Sequence, residues 1–471
     1  MATSDPTIVS TTSQRVVTDE RVEAPVVLTD SPPRPLRFFD QFAMWANLGI
    51  SLFGPLTGAL IAATTGSVWT AIAAIVLGCG IGAALLGTSA VFGATTGVPA
   101  MVSLRGLLGR RASVVPTLLN IGQNIGWATM EIIVIATAAT AIVGDAWRWP
   151  FVLLAGAVAT AMAVRPLGSV RLLRKVMVWL VLVASVVLFV QVLIRPAGEI
   201  SQDAVLGFWP AVDLAVAGVV SFAPLAADYS RHSRTRRAAF WGSALGYGLA
   251  AVAYYTLGVL AVAHLGATDV LGALIALPAG AVALSILLID EVDEAFANVY
   301  STTMSIQNLA PNLDRRVVAV AVGVLATLLA GLLDFGQYQS FLFLIGSVFV
   351  PLFAVAAADF LIVSKGRWDV SESSRLRWAP VVAWAGGFVV YQLINPGMVP
   401  GWSSSWVELA SAIGFVAPSW LGSSVAAIGV LGPADGAAGT PSVVPRPPTF
   451  ARCATPGRRL AASPQSPDNP V

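Results

Sequence analysis

The chain is 471 residues long, 56% hydrophobic and only 11% charged, with a formal net charge of +2 and a mean hydropathy of +0.78. That balance excludes a soluble globular domain and a disordered chain, and marks an all-α polytopic membrane protein whose surroundings are a lipid bilayer. The basic residues are spread along the chain and offer nucleic acid no patch; two cysteines of different character, Cys79 and Cys453, and two histidines in separate loops, His232 and His264, exclude a disulfide framework, a His-based metal site and a catalytic triad.

Residues 1–36 are polar and rich in Thr, Val and Pro, with no apolar core of signal-peptide type, and are expected to form a disordered cytoplasmic tail. Apolar segments follow at roughly 40–63, 68–92, 114–143, 148–164, 174–195, 211–227, 238–264, 279–308, 316–334, 339–363, 378–395 and 409–431, each near the length of a span. With the N-terminus inside, seventeen Lys and Arg fall in loops on the cytoplasmic side and two, Arg148 and Arg195, on the other. This bias predicts a transporter domain of twelve spans over residues 37–432, in the cell membrane, with both termini cytoplasmic.

The first span carries Asn47, Gly49, Gly54 and Pro55 where an unbroken helix prefers Leu or Ala, and the sixth carries Gly218, Ser221 and Pro224. Interrupted helices five spans apart predict an inverted repeat of five plus five helices, with the substrate at the two breaks. The third span places Asn120, Gln123, Asn124, Trp127 and Glu131 on one helical face. Two readings of that face stand. An indole with a carboxylate one turn away suits a planar heteroaromatic ring with adjacent N–H donors, and it equally suits an interfacial Trp beside a Glu bonded to a neighbouring helix.

After the sixth span comes Asp228-Tyr-Ser-Arg-His-Ser-Arg. It is expected outside the membrane as a latch, Asp228 pairing with an arginine or capping the helix that begins near Thr235. The eighth span holds four carboxylates. Asp290, Glu294, Ala297, Ser301 and Asn308 share a stripe flanked by Asp293 and Asn298, and Glu291 is expected to point elsewhere. Acids facing hydrocarbon cost at least about 2.5 kcal/mol each, so the stripe is expected to face a cavity or the bundle interior; the competing reading ends the span at Ile289 with the acids as a solvated cap. From 433 to 471 the chain loses periodicity, as a disordered tail or as the product of a frame shift near Val425 to Leu431.

No His cluster, no Gly-x-Ser-x-Gly elbow and no carboxylate-His spacing gives these acids a catalytic partner, so no enzyme is expected. Paired breaks and one asymmetric acidic helix suit a carrier better than a symmetric pore. An amino-acid permease of the same architecture would bring an anionic group, which Glu131 disfavours.

On Phe39-Asp-Gln-Phe-Ala-Met-Trp-Ala-Asn-Leu-Gly, Gly126-Trp127 with Glu131, Ala227-Asp-Tyr-Ser-Arg-His, and Glu294-Ala-Phe-Ala-Asn-Val-Tyr-Ser with Gln307-Asn308, the chain resembles the nucleobase:cation symporter-1 family of purine, cytosine and related permeases. The resemblance implies a monomer or weak oligomer without a cofactor, importing a small planar base together with H⁺ or Na⁺ by alternating access. It implies that Trp127 stacks on the ring, that Glu131 holds its hydrogen-bonding edge, and that Asn298, Asn47 and Gln123 lie near the substrate. It places a cation near Ala46, Asn47, Gly49, Val292 and Asp293. Two positions depart from the family: a second stacking aromatic falls on Val219, with Phe222 one turn along, and the Ser or Thr cation ligands are replaced by Val292, Asp293 and Glu294, with Asp290 beside them. A carboxylate there can take up a proton as the carrier closes, so proton coupling through Asp293 or Glu294 is expected, with Na⁺ as the alternative. An acceptor at Glu131 favours cytosine and purines over uracil; allantoin, hydantoins and vitamin-precursor pyrimidines are the alternatives.

Overall fold

Hydrocarbon offers the backbone no partner, so each apolar segment has to satisfy its own amides as a helix. The computed structural model describes residues 32–201, 205–266, 269–333 and 338–430, except for the side chains of 169–176 and 178. All of these belong to one unit that ends at Asp435. The helices are α1 (Phe38–Leu48), α2 (Phe53–Thr65), α3 (Val68–Thr96), α4 (Ala100–Ser103), α5 (Arg105–Leu108) and α6 (Val114–Val143). Next come α7 (Arg148–Val164), α8 (Pro166–Leu193), α9 (Phe208–Val220), α10 (Ala223–Ser230), α11 (Arg236–Leu265) and α12 (Val270–Ile275). The chain continues through α13 (Gly280–Leu309), α14 (Arg315–Leu332), α15 (Tyr338–Ala358), α16 (Trp378–Ile394), α17 (Trp402–Ala412) and α18 (Ser423–Gly429). His264 lies on the last turn of α11, not in a loop.

Among the described residues, seven helical stretches are long and apolar enough to cross a membrane, or eight when α1 and α2, which meet at 62°, count as one broken span. The expected twelfth span at 409–431 is not one helix. Its α17 stops at Ala412, and seven-residue α18 begins only at Ser423, after Gly414 in a left-handed conformation (φ 69°) and Pro418.

The packing follows a two-fold relation between α1–α8 and α9–α15. The first broken span, α1 and α2, packs on α11, and the second, α9 and α10, packs on α3. Likewise α13 packs on α7 and α6 on α14, while α8 lies on α1 and α15 on α9. Since five spans is an odd number, the second half enters the bilayer from the opposite side, which is the inverted five-plus-five repeat.

Small residues set these contacts. A methyl group on Gly58 would come within 1.9 Å of the Tyr255 carbonyl oxygen, and one on Gly258 within 2.1 Å of the Pro55 oxygen. Backbone therefore meets backbone where α2 crosses α11. Cations close the helix ends: buried Arg105 donates to the Asn308 carbonyl (2.8 Å) and side chain (2.7 Å) at the end of α13, and Arg315 donates to the carbonyls of Ala163 (2.7 Å) and Val164 (3.1 Å) at the end of α7.

The Asp228 segment is a latch, but with partners other than the expected ones. Asp228 is buried on α10, inside the bundle. Its two oxygens accept from the Ala100 amide opening α4 (2.8 Å) and from the Ser301 hydroxyl on α13 (2.5 Å), while Thr235 caps α11 with its own side chain. Residues 1–31 and 431–471, which hold most of both expected tails, lie outside the described residues. The last residues of the N-terminal segment are held: Leu36 is buried and exchanges backbone bonds with His232 and Arg234, and the His232 Nδ1–H donates to the Pro33 carbonyl at 2.8 Å.

Burial, with Arg231 next to it, pushes the His232 imidazole down to about 3 from 6.5. Below pH 6.5 the unfolded chain binds a proton that the folded one refuses, so stability falls as pH drops from 6.5 toward 3 and is unaffected above 6.5. At pH 5 the loss is about 2 kcal/mol. Thermal melting of the purified protein at pH 7.5 and 5 should show a drop that His232→Asn lessens. Gly258→Val should destabilise the protein by about 1–3 kcal/mol or more in the same measurement, because α2 and α11 cannot separate without losing their interface.

Candidate functional site

A helix that stops inside a bundle leaves amides and carbonyls without partners. The α1 ladder ends at Leu48; the Ile50 amide turns to the Asn47 carbonyl at 3.0 Å, and the chain resumes as a helix at Phe53. The exposed start of α2 is met by Glu291 of α13, whose carboxylate accepts from the Leu52 amide and the Ser51 hydroxyl, each at 2.8 Å. An anion at a helix N-terminus gains from both the hydrogen bonds and the helix dipole. One turn earlier, the Asn47 amide nitrogen donates to Asp290 at 2.8 Å and to Asp293 at 2.7 Å.

Across from α13, α6 contributes Glu131, so five carboxylates gather at the first break, none more than 2% exposed. One oxygen from each of Glu131, Glu291 and Glu294 lies within 4.8 Å of the other two. Among the described residues no Lys or Arg forms an ion pair with any of the five. Both oxygens of Glu131, one each of Glu294, Asp290 and Asp293, and the side-chain Oδ1 of Asn47 have no hydrogen-bond partner.

Aromatic rings adjoin the acids. Trp127, one turn before Glu131 on α6, packs against Phe53 (5.4 Å between centroids), Phe341 (5.3 Å) and Tyr338 (6.0 Å), and its indole N–H has no partner. Phe53 follows directly on the Leu52 amide that Glu291 holds, so the aromatic wall and the acid cluster share the start of α2.

The expected residues divide into three groups. Trp127, Glu131, Asn47, Asp290, Asp293 and Glu294 come together at the first break. Gln123 and Phe222 lie at the second, where the Gln123 amide donates to the Ser221 carbonyl at 3.2 Å and the Phe222 ring packs 4.8 Å from Tyr247. Val219 is buried against Gly82 of α3. Ala46 and Gly49 pack against α11, and a methyl on Gly49 would meet Ala250 at 2.8 Å. Asn298 is buried one turn from Glu294 and donates to the Glu294 carbonyl at 3.0 Å.

One competing reading is excluded here and one sequence expectation fails. α13 runs unbroken to Leu309 with its acids buried, so they are not a solvated cap. Glu291 does not point elsewhere. Every residue from Asp293 to Ser305 is buried among α6, α7, α8 and α14, and Glu291 lies on the side of α13 opposite the exposed Ile289, where it meets the start of α2. A signal existed: Glu291, Glu294, Asn298, Thr302 and Ser305 form a second polar stripe beside the first. Ser51, Phe53, Tyr338 and Phe341 carried no comparable signal, since isolated polar and aromatic residues in apolar spans are ordinary.

The sequence model of the family described as "Permease for cytosine/purines, uracil, thiamine, allantoin" matches residues 33–394, which include every residue of the acid cluster and its aromatic wall. A Bacillus subtilis (strain 168) protein named "Putative purine-cytosine permease YxlA" is 25% identical over 354 residues, 70% of this chain and 77% of its own. Among solved structures, Mhp1, a nucleobase-cation-symport-1 family transporter in a closed conformation with bromovinylhydantoin bound, aligns with a TM-score of 0.65 at 17% identity, covering 88% of this chain and 94% of its own. MhsT in complex with L-phenylalanine aligns at 0.54 and 14% identity, over 84% and 98%. At these identities the two structures show the fold that the chain shares with them.

Glu291→Ala leaves the Leu52 amide and the Ser51 hydroxyl without an acceptor and should cost about 1–3 kcal/mol. Glu291→Gln, which retains one acceptor oxygen, should cost less, and the order of the two melting temperatures checks the assignment.

Proposed function

Because the chain belongs to the nucleobase:cation symporter-1 family of permeases, we propose that this multi-pass membrane transporter imports a planar nucleobase such as cytosine or a purine together with a cation, its termini in the cytoplasm. The observation that carries this reading is the gathering of Glu131, Trp127 and the α13 acids at the broken first span. Trp127 supplies a flat face for the ring. Glu131, with both oxygens unpartnered, accepts two parallel N–H bonds from an amidine or amino-amide edge, which favours cytosine and purines over uracil. An amino-acid substrate would place one more anion beside five carboxylates.

The coupling cation is a proton taken up at Asp293. Asp290 and Asp293 share one amide donor, Asn47, and among the described residues neither forms an ion pair with a Lys or Arg. Buried like charges bridged by a single donor favour the uptake of one positive charge, and the proton needs no further ligands. Sodium is the alternative.

The position of the site supports alternating access. Asn47, Ser51 and Leu52 belong to the group in which α1 and α2 pack on α11 and α9 and α10 on α3, whereas Glu131 and the α13 acids belong to the group of α6, α7, α13 and α14. Their hydrogen bonds are the seam between the two groups. Neutralising Asp293 weakens its hold on Asn47 and frees one group to rock against the other, and substrate and cation then favour each other's binding reciprocally.

Uptake of radiolabelled cytosine, adenine, guanine and allantoin by cells expressing the chain tests this. One base should accumulate with an imposed proton gradient, Glu131→Gln should lower its uptake about tenfold or more, and Asp293→Asn should abolish the dependence on the gradient. Uptake that collapses when Na⁺ is removed at constant proton gradient assigns sodium as the coupling ion. No uptake of any base, with the protein in the membrane, would overturn the reading.

A further inference from the structure

We infer that the chain carries a binding site for the headgroup of an anionic phospholipid, formed by Arg236 at the start of α11 and by Lys365 and Arg367 in the turn that follows α15, in the leaflet that is cytoplasmic in the orientation proposed above. The site stands apart from the one that takes the base. The span that begins as α15 ends at Val363, and the chain then reverses through Lys365 and Gly366, both left-handed (φ 48° and 74°). A lysine seldom takes that conformation, and here the turn is fixed: the Gly366 amide donates to the Phe360 carbonyl at 2.7 Å and the Arg367 amide to the Ser364 carbonyl at 2.9 Å. Arg236 lies over this turn, so close that a methyl group on Gly366 would stand 3.5 Å from its Nη1. Three exposed cations from two distant parts of the sequence are thus brought to one place.

Among the described residues none of the three forms an ion pair, nor do Arg234 and Arg237 on either side of Arg236. The neighbouring acids are taken. Asp359 is held by Arg377, Trp368 and Ser364, Glu372 by Arg105 and Arg110, and Asp369 accepts from the Ser371 amide at 3.0 Å. The preference of basic residues for one side of a membrane explains why cations lie at this end of the bundle. It does not explain why three of them converge and repel one another, and a phosphate between them turns that repulsion into attraction. The surroundings select the kind of phosphate. Leu361, Ile362 and Val363 are exposed just before Lys365, and on α11 the exposed Trp241, Leu245 and Leu249 continue, at helical spacing, the line that starts at Arg237. Both cationic ends therefore cap apolar surfaces that lie against acyl chains, which suits a phospholipid and gives a soluble phosphate compound nothing to contact.

Native mass spectrometry of the purified full-length chain in detergent, titrated separately with dioleoylphosphatidylglycerol, dioleoylphosphatidylcholine and glycerol 3-phosphate, counts the molecules bound and ranks their affinities. Phosphatidylglycerol should bind at least about tenfold more tightly than phosphatidylcholine, since three basic side chains act on its net charge. Arg236→Gln combined with Lys365→Gln and Arg367→Gln should remove that preference. The same change at three other exposed cations without an ion pair, Arg111, Arg316 and Arg375, should leave it within about twofold. Lys365→Gly suits the left-handed backbone, so it should weaken phosphatidylglycerol binding severalfold without lowering the melting temperature. Equal affinity for the two lipids on the unmodified chain, a comparison that needs no variant to fold, would overturn the site. An equal loss in the Arg111, Arg316 and Arg375 variant would overturn its location. Glycerol 3-phosphate binding as tightly as phosphatidylglycerol would overturn the assignment to a lipid. The base-carrier reading stands or falls separately, by uptake.

Discussion

A broken helix and a buried carboxylate are each costly within a membrane protein, and in this chain each removes much of the cost of the other. The amide of Leu52 and the hydroxyl of Ser51 would have no acceptor at the start of α2, and Glu291 would have no donor in the middle of the bundle. Joined, they satisfy one another, and the dipole of α2 adds to the bond. Asn47 does the same at the end of α1 for Asp290 and Asp293. The position of α13 relative to the break is thus set by hydrogen bonds, and the remaining acids, Glu131 and Glu294, are brought together by that alignment.

Close packing makes the alignment possible. The polar break can lie in the middle of the protein only because α2 meets α11 at Gly58 and Gly258, with no side chain between them. The two-fold repeat reproduces the arrangement with α9 and α10 against α3, where Gly78 and Gly82 leave the same room. At the second break Gln123 reaches the Ser221 carbonyl from α6, so the helix that carries Trp127 and Glu131 touches both interruptions.

Charges at the periphery serve a different purpose. Arg105 closes α13, Arg315 closes α7, and Asp213 accepts from the amides of Ser423 (3.1 Å) and Ser424 (2.9 Å) at the start of α18. Asp359 is held by Arg377 (2.6 Å) and Trp368 (2.6 Å). Each of these groups is spent on a helix end or a neighbouring loop, so the charges of the frame are matched locally. The acid cluster differs in number: five carboxylates meet at one place with hydrogen-bond donors but, among the described residues, no ion-paired Lys or Arg, which equips it chemically to take up a cation.

The helical, membrane-spanning character of the protein was legible in composition and in the lengths of the apolar runs, because hydrocarbon admits so few backbone solutions. The repeat was legible in Asn47, Gly49 and Pro55 on one side and Gly218, Ser221 and Pro224 on the other, since residues that interrupt a helix are local signals. The polar face of α6 followed from helical spacing alone. Spacing could not tell that the side of α13 opposite the exposed Ile289 would meet the start of α2, because that contact joins residues far apart in sequence; there Glu291 became the clamp on α2. The division of the last apolar run into α17 and α18 and the partners of Asp228 likewise depended on contacts between residues far apart in sequence. The sequence determined which residues could not be left to lipid, and the tertiary structure decided which of them meet, because only the packing of distant helices assigns a buried donor to a buried acceptor.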